Sequence, residues 1–85
     1  MHEKRVVPQV APIVASVWKF EVAVGDRVEV GATLAVLESM KMEIPVLATV
    51  SGVVESIPVE PGQIVQEGDS VVVLAPRGEV PLPRT

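Results

Sequence analysis

The chain has no cysteine and no tyrosine, and Trp18 and Phe20 are its only aromatic residues. The lack of thiols excludes disulfides, thiolate nucleophiles and cysteine-based zinc sites together. His2 is the sole imidazole, so neither a Ser/His/Asp triad nor a histidine-rich metal site can be assembled. Positive charge is also scarce: 7 lysines and arginines against 11 acidic residues give a formal net charge of −4. With no basic run and no aromatic platform, a nucleic-acid surface is not expected. No apolar stretch is long enough to span a bilayer. The opening MHEKRVVPQV has basic residues but lacks the apolar segment of a secretory signal. The expectation is a cytoplasmic protein with neither nucleic acid nor membrane as partner.

What the chain does have is valine, twenty of its 85 residues. A β-branched excess with few aromatics favours strands, and no segment shows an apolar stripe of period 3.6. A hydrophobic content of 48% with 21% charged residues suits one small folded domain rather than a disordered chain.

The sequence also repeats. Shifted by 37 residues, IVASVWKFEVAVGDRVEVGATLAVL (13–37) overlies VSGVVESIPVEPGQIVQEGDSVVVL (50–74). Seven of the twenty-five positions are identical, among them Gly25/Gly62 and Gly31/Gly68. Each half therefore places a G-x5-G between alternating apolar runs, where turns need residues that accept positive φ. Strands are predicted over 14–22 and 52–59, in short segments near 28–30 and 64–66, and over 33–38 and 70–75. A further strand is predicted over 42–50, where Pro45 marks an edge or a bulge. The predicted fold is all-β: two antiparallel sheets packed face to face, each half supplying strands to both, with a pseudo-twofold internal repeat. Residues 9–76 form this domain. Residues 1–8 and 77–85 hold three of the eight prolines and much of the clustered charge, and are expected to be flexible tails.

At the junction of the halves stands ESMKMEI (38–44). Strands on either side of it form a hairpin, and a two-residue turn would put Met40 and Lys41 at its tip. Such turns want Asn-Gly or Asp-Gly, because both central residues take positive φ. In the same register Glu38 faces Glu43, and like charges across a ladder destabilise it. Met40 and Met42 would leave thioethers near solvent. Several local rules thus fail in one loop of a domain that otherwise keeps them, a pattern characteristic of functional sites.

Lys41 is badly placed for catalysis. An ordinary lysine is almost wholly protonated at neutral pH. No burial, neighbouring cation or base is in view to activate it. The arrangement suits an amine presented to another enzyme that supplies both deprotonation and an activated acyl donor.

E-S-M-K-M-E resembles the E-A-M-K-M biotin attachment motif of biotinyl domains, the biotin carboxyl carrier modules of biotin-dependent carboxylases. The resemblance covers residues 11–75 and includes the internal repeat, both glycine turn pairs and Ala11-Pro12 at its start. It implies a flattened barrel-sandwich of about eight strands, with biotin attached to Lys41 by a biotin protein ligase that recognises Glu38, Ser39, Met40, Met42 and Glu43. It also implies a non-catalytic role, in which the tethered biotin shuttles an activated carboxyl group between a biotin carboxylase and a carboxyltransferase, each a subunit or a domain. The lysine stem and biotin side arm together span roughly a dozen Å.

Some residues depart from the family pattern. Ser39 replaces the usual Ala, Ile13 stands where Met is common, and Ala15 stands where Gly is common, which requires a backbone acceptable to a β-carbon. EVAVGD (21–26) leaves no room for the protruding thumb of bacterial acetyl-CoA carboxylase carriers, so the resemblance is to the thumbless type. The chain fits either a free-standing carrier or one domain of a longer carboxylase. Two alternatives share the fold: a lipoyl-type carrier, whose tip resembles D-K-A rather than M-K-M, and an unmodified docking domain.

Overall fold

The structure, a computed structural model, describes residues 5–76. Eight strands and no helix form in that span: β1 (Val7–Val10), β2 (Ala15–Phe20), β3 (Arg27–Val28), β4 (Thr33–Ser39), β5 (Met42–Leu47), β6 (Gly52–Ser56), β7 (Ile64–Val65) and β8 (Ser70–Pro76). They make two antiparallel four-stranded sheets, ordered β1-β8-β6-β3 and β5-β4-β2-β7. Leu34, Leu37, Val17, Val54, Val65, Val71, Val72 and Leu74 fill the space between the sheets and are the largest fully buried side chains. Valine and leucine at alternate strand positions thus make a thin, dry core without aromatic bulk.

The repeat seen in the sequence is a repeat in space. Adding 37 to a residue number carries β1, β2, β3 and β4 onto β5, β6, β7 and β8, and so one sheet order onto the other. The hydrogen bonds obey the same rule: Gly25 N–H donates to Val54 O at 2.8 Å, and Gly62 N–H donates to Val17 O at 2.7 Å. Likewise Gly31 N–H donates to Ala48 O and Gly68 N–H to Ala11 O, both at 2.8 Å. Each turn of one half is therefore tied to a strand of the other. The turn glycines hold φ near +90° (Gly25 96°, Gly62 89°), where a β-carbon would clash with its own backbone.

Two differences from the sequence expectations stand out. The first strand starts at Val7, so Val7 and Pro8, expected in the tail, pair with Leu74 and Val73 of β8. Pro8 suits this place because β1 is an edge strand, where a missing N–H costs no ladder bond. Pro45, 37 residues on, does the same on edge strand β5. The expected tails at 1–4 and 77–85 lie outside the described residues. The second difference is a bulge: Val17 faces Leu37 but Lys19 faces Val36, leaving Trp18 unpaired. Its counterpart, Glu55, is skipped between Val54 and Ser56.

Gln9 is the buried polar side chain among the described residues, at 2% exposure. It occupies the place that Val46 takes in the second half. Thr49 N–H donates to Gln9 Oε1 at 2.9 Å, and Gln9 Nε2 donates to Val7 O at 3.2 Å, so its polar atoms are satisfied and it fastens β1 to the chain leaving β5.

The two ends of the sandwich differ. The β4–β5 turn closes one of them. β5 then runs back, four residues change sheets, and β6 starts with Gly52 beside Pro76, the last residue of β8. Val7, at the start of β1, lies opposite Leu74. Both ends of the described chain therefore leave the domain at the end away from the β4–β5 turn.

Candidate functional site

β4 and β5 form a continuous hairpin through the pairs Val36↔Pro45, Leu37↔Ile44, Glu38↔Glu43 and Ser39↔Met42. Met40 and Lys41 are all that remains to close it. Their φ values are +53° and +66°, the only positive values at non-glycine residues among those described. That is the backbone of a primed hairpin turn, adopted by two side chains that each cost about 1–2 kcal/mol in a left-handed conformation. The long ladder below compensates for this, because Leu37 is fully buried and fixes the register.

Alternation down the hairpin sorts the neighbours. Glu38 and Glu43 face each other on the outer side of the sheet and are exposed. Ser39 and Met42 face the other way, past the end of the core, where Ser39 is half-buried and Met42 is 63% exposed. Met40 is 90% exposed, and Lys41 stands in solvent beside it. The structure thus brings together all six residues singled out from the sequence. Two lysines fall within the described residues, and only one amine is unengaged. Lys19 Nζ lies 3.3 Å from Glu21 and 4.8 Å from the centre of the Trp18 ring. Lys41 forms no salt bridge among the described residues. Ala15, the residue that replaces a family glycine, is buried and not in a positive-φ conformation, so its methyl is accommodated.

The turn offers a direct test of the strain. Met40→Asn with Lys41→Gly installs the favoured turn pair and should raise the melting temperature by roughly 5 °C or more, as expected for about 1–2 kcal/mol in a domain this small. Thermal unfolding by circular dichroism measures it. A lower melting temperature would mean that the native side chains stabilise the turn.

An exposed primary amine on a rigid tip, with no imidazole among the described residues, can be acylated by another protein. Comparison with known proteins agrees. A family profile described as "Biotin-requiring enzyme" matches residues 4–74. The chain belongs to this family. It is a biotinyl carrier domain, non-catalytic in itself, whose cofactor is covalently held biotin. The biotinyl domain is 49% identical over 65 residues to a biotinylated protein TB7.3 homolog of Mycobacterium leprae, covering 76% of this chain and 92% of that one. It is 45% identical over 60 residues to a biotin/lipoyl attachment protein of Bacillus subtilis, covering 71% and 82%. Among solved structures, the urea carboxylase of Kluyveromyces lactis superposes with a TM-score of 0.79 at 35% identity. That match covers 87% of the biotinyl domain but 6% of the far longer carboxylase.

The amine fits the cofactor: Lys41 is exposed, unpaired among the described residues and held clear of the sheets. Sequence reasoning missed the exposed apolar residues beside the hairpin, because Trp18 and Ile64 are far apart in the chain and are brought onto neighbouring strands only by the pairing of β2 with β7.

Proposed function

We propose that Lys41 is the residue to which biotin is joined, that a biotin protein ligase makes the bond, and that the loaded domain serves a biotin carboxylase and a carboxyltransferase in turn. The observation that carries this reading is the turn itself: a lysine in a left-handed conformation at an exposed tip, its amine unengaged. When bound, biotin supplies a ureido nitrogen able to carry an activated carboxyl group. The chain's own residues hold and present. β4 and β5 fix the Lys41 backbone, and the left-handed turn directs its stem away from both sheets. Glu38, Ser39, Met40, Met42 and Glu43 surround the amine with a pattern of charge and thioether that a ligase can grip. Tethering then keeps the cofactor at high effective concentration near both active sites. Co-expression with a biotin protein ligase and biotin should add a single biotinyl group, a gain of about 226 Da in intact mass, mapping to the peptide that contains Lys41. An unchanged mass, or a label on another lysine, would falsify this assignment.

A further inference from the structure

The internal repeat supplies a comparison within one molecule: each position has a counterpart 37 residues away that occupies the same place in the other sheet. In the core the counterparts agree, as with Val17 and Val54 or Leu37 and Leu74, all buried. On the outer faces they part. Trp18 is 48% exposed where its counterpart is Glu55, and Ile64 is 62% exposed where its counterpart is Arg27. The scaffold is therefore satisfied by a charged side chain at either place. The scaffold does not require an indole or an isoleucine at positions that accept glutamate and arginine, and exposed apolar residues that share one face mark an interaction surface.

These residues share a face with the tip. Glu43, Glu38, Ser16 and Ile64 lie in one row across all four strands of the β5-β4-β2-β7 sheet. Lys19 stands opposite Val36, on the same side as Glu38, and its ammonium lies against the Trp18 ring. Glu21 neutralises that ammonium. Glu38 and Glu43 have no basic partner among the described residues, so the face carries apolar side chains with an acidic margin on its hairpin side.

We propose that this face docks the domain on the biotin carboxylase. Its contact surface would offer an apolar pocket for the Trp18 indole and lysine or arginine side chains opposite Glu38 and Glu43. The proposal rests on the carrier function above. Charge complementarity selects a basic partner and disfavours a second copy of this acidic chain. Distance selects the carboxylase over the ligase. At ordinary strand spacings Trp18 lies about 12–15 Å back from Lys41, while Ile64 lies to the side, two strands from β4 in the row of Glu38 and Glu43. An enzyme that acylates the amine must close over the tip itself, whereas one that works ahead of the tip can hold the domain from behind it. Tryptophan in a docking patch characteristically carries much of the binding energy.

The test uses a purified stand-alone biotin carboxylase subunit titrated into the full, isotope-labelled chain. The single indole N–H of the protein gives one resolved NMR signal. That signal and the Ile64 amide should shift on binding, while Glu55 and Arg27 on the opposite sheet should not. Exchanging Trp18→Glu and Ile64→Arg installs what the sister sheet already carries, so the melting temperature should hold. The dissociation constant should rise roughly tenfold or more, and the rate of ligase labelling should stay within about twofold, below the loss expected of a contact residue. Lys41→Arg should bind as tightly as the unsubstituted chain, which separates docking from attachment: a wrong attachment residue leaves this result standing. Shifts centred on the other sheet or on the tip alone, no shift at Trp18, or an unchanged dissociation constant in the double exchange would each overturn the proposal. So would an equal loss of ligase labelling, which would assign the face to the ligase.

Discussion

Lys41→Arg should abolish biotin attachment while leaving the fold untouched. Arginine keeps the positive charge and the left-handed backbone requirement at the tip, and the side chain it replaces is in solvent with no salt bridge among the described residues. Thermal stability should therefore change by less than about 0.5 kcal/mol, as for surface substitutions generally. Acylation is another matter. A guanidinium does not give up its proton under any condition a protein tolerates, so no nucleophilic nitrogen is available and streptavidin capture should fall to background. Lys19→Arg is the informative control. It keeps the pairing with Glu21 and the stacking on Trp18, and it should label as fully as the unsubstituted chain. Lys4→Arg should do the same. Capture that persists in Lys41→Arg, at any stoichiometry near one, would move the attachment point elsewhere.

Gly52→Ala should be among the most damaging single substitutions available to this chain, although it adds only a methyl group. A β-carbon at Gly52 would lie 2.8 Å from the carbonyl carbon of Ala75 and 2.9 Å from Cα of Pro76, and nearer still to the Ala75 carbonyl oxygen. All three atoms are backbone, so no side chain can turn aside to make room. Nor can the strands part freely. β6 and β8 are the two inner strands of their sheet, and moving one disturbs β1 or β3 as well. The counterpart position carries Ala15 without difficulty, because the pairing of β2 with β4 ends at Ser16↔Glu38 while that of β6 with β8 continues one rung further, to Gly52↔Pro76. Overpacking of this kind costs about 3 kcal/mol or more, which corresponds to a fall in melting temperature of roughly 10–20 °C for a domain of this size. A variant melting within a few degrees of the original would show that the strands separate more readily than their pairing suggests.

Most of this architecture was legible because the chain states it twice. The glycine turns and alternating valines of 13–37 and 50–74 marked matching segments, and the halves share the core as expected. The hairpin was legible for the opposite reason: Met40, Lys41 and the facing glutamates contradict what a turn and a ladder prefer, and the structure shows that conflict in the two positive φ values. The first strand was not foreseen. Pro8 and Gln9 lower the strand propensity of 7–10, and the identities that revealed the repeat begin only at Val17. Yet VPQVA at 7–11 lies 37 residues before IPVLA at 44–48, with proline and alanine in step. Edge strands tolerate proline, so the residue that hid the strand also marked its equivalence to β5. The bulge at Trp18 left no trace in the sequence, since a skipped partner depends on how two strands accommodate their twist.

Because the described chain leaves from the end opposite the β4–β5 turn, the domain behaves mechanically as a short stiff boom with its working point at one extremity and its anchorage at the other. Arg5 and Pro76, the first and last described residues, both lie toward that far end. A modest swing about that anchorage becomes a larger sweep at the tip, since β5 alone spans about 20 Å. The sheets do not have to bend for Lys41 to travel.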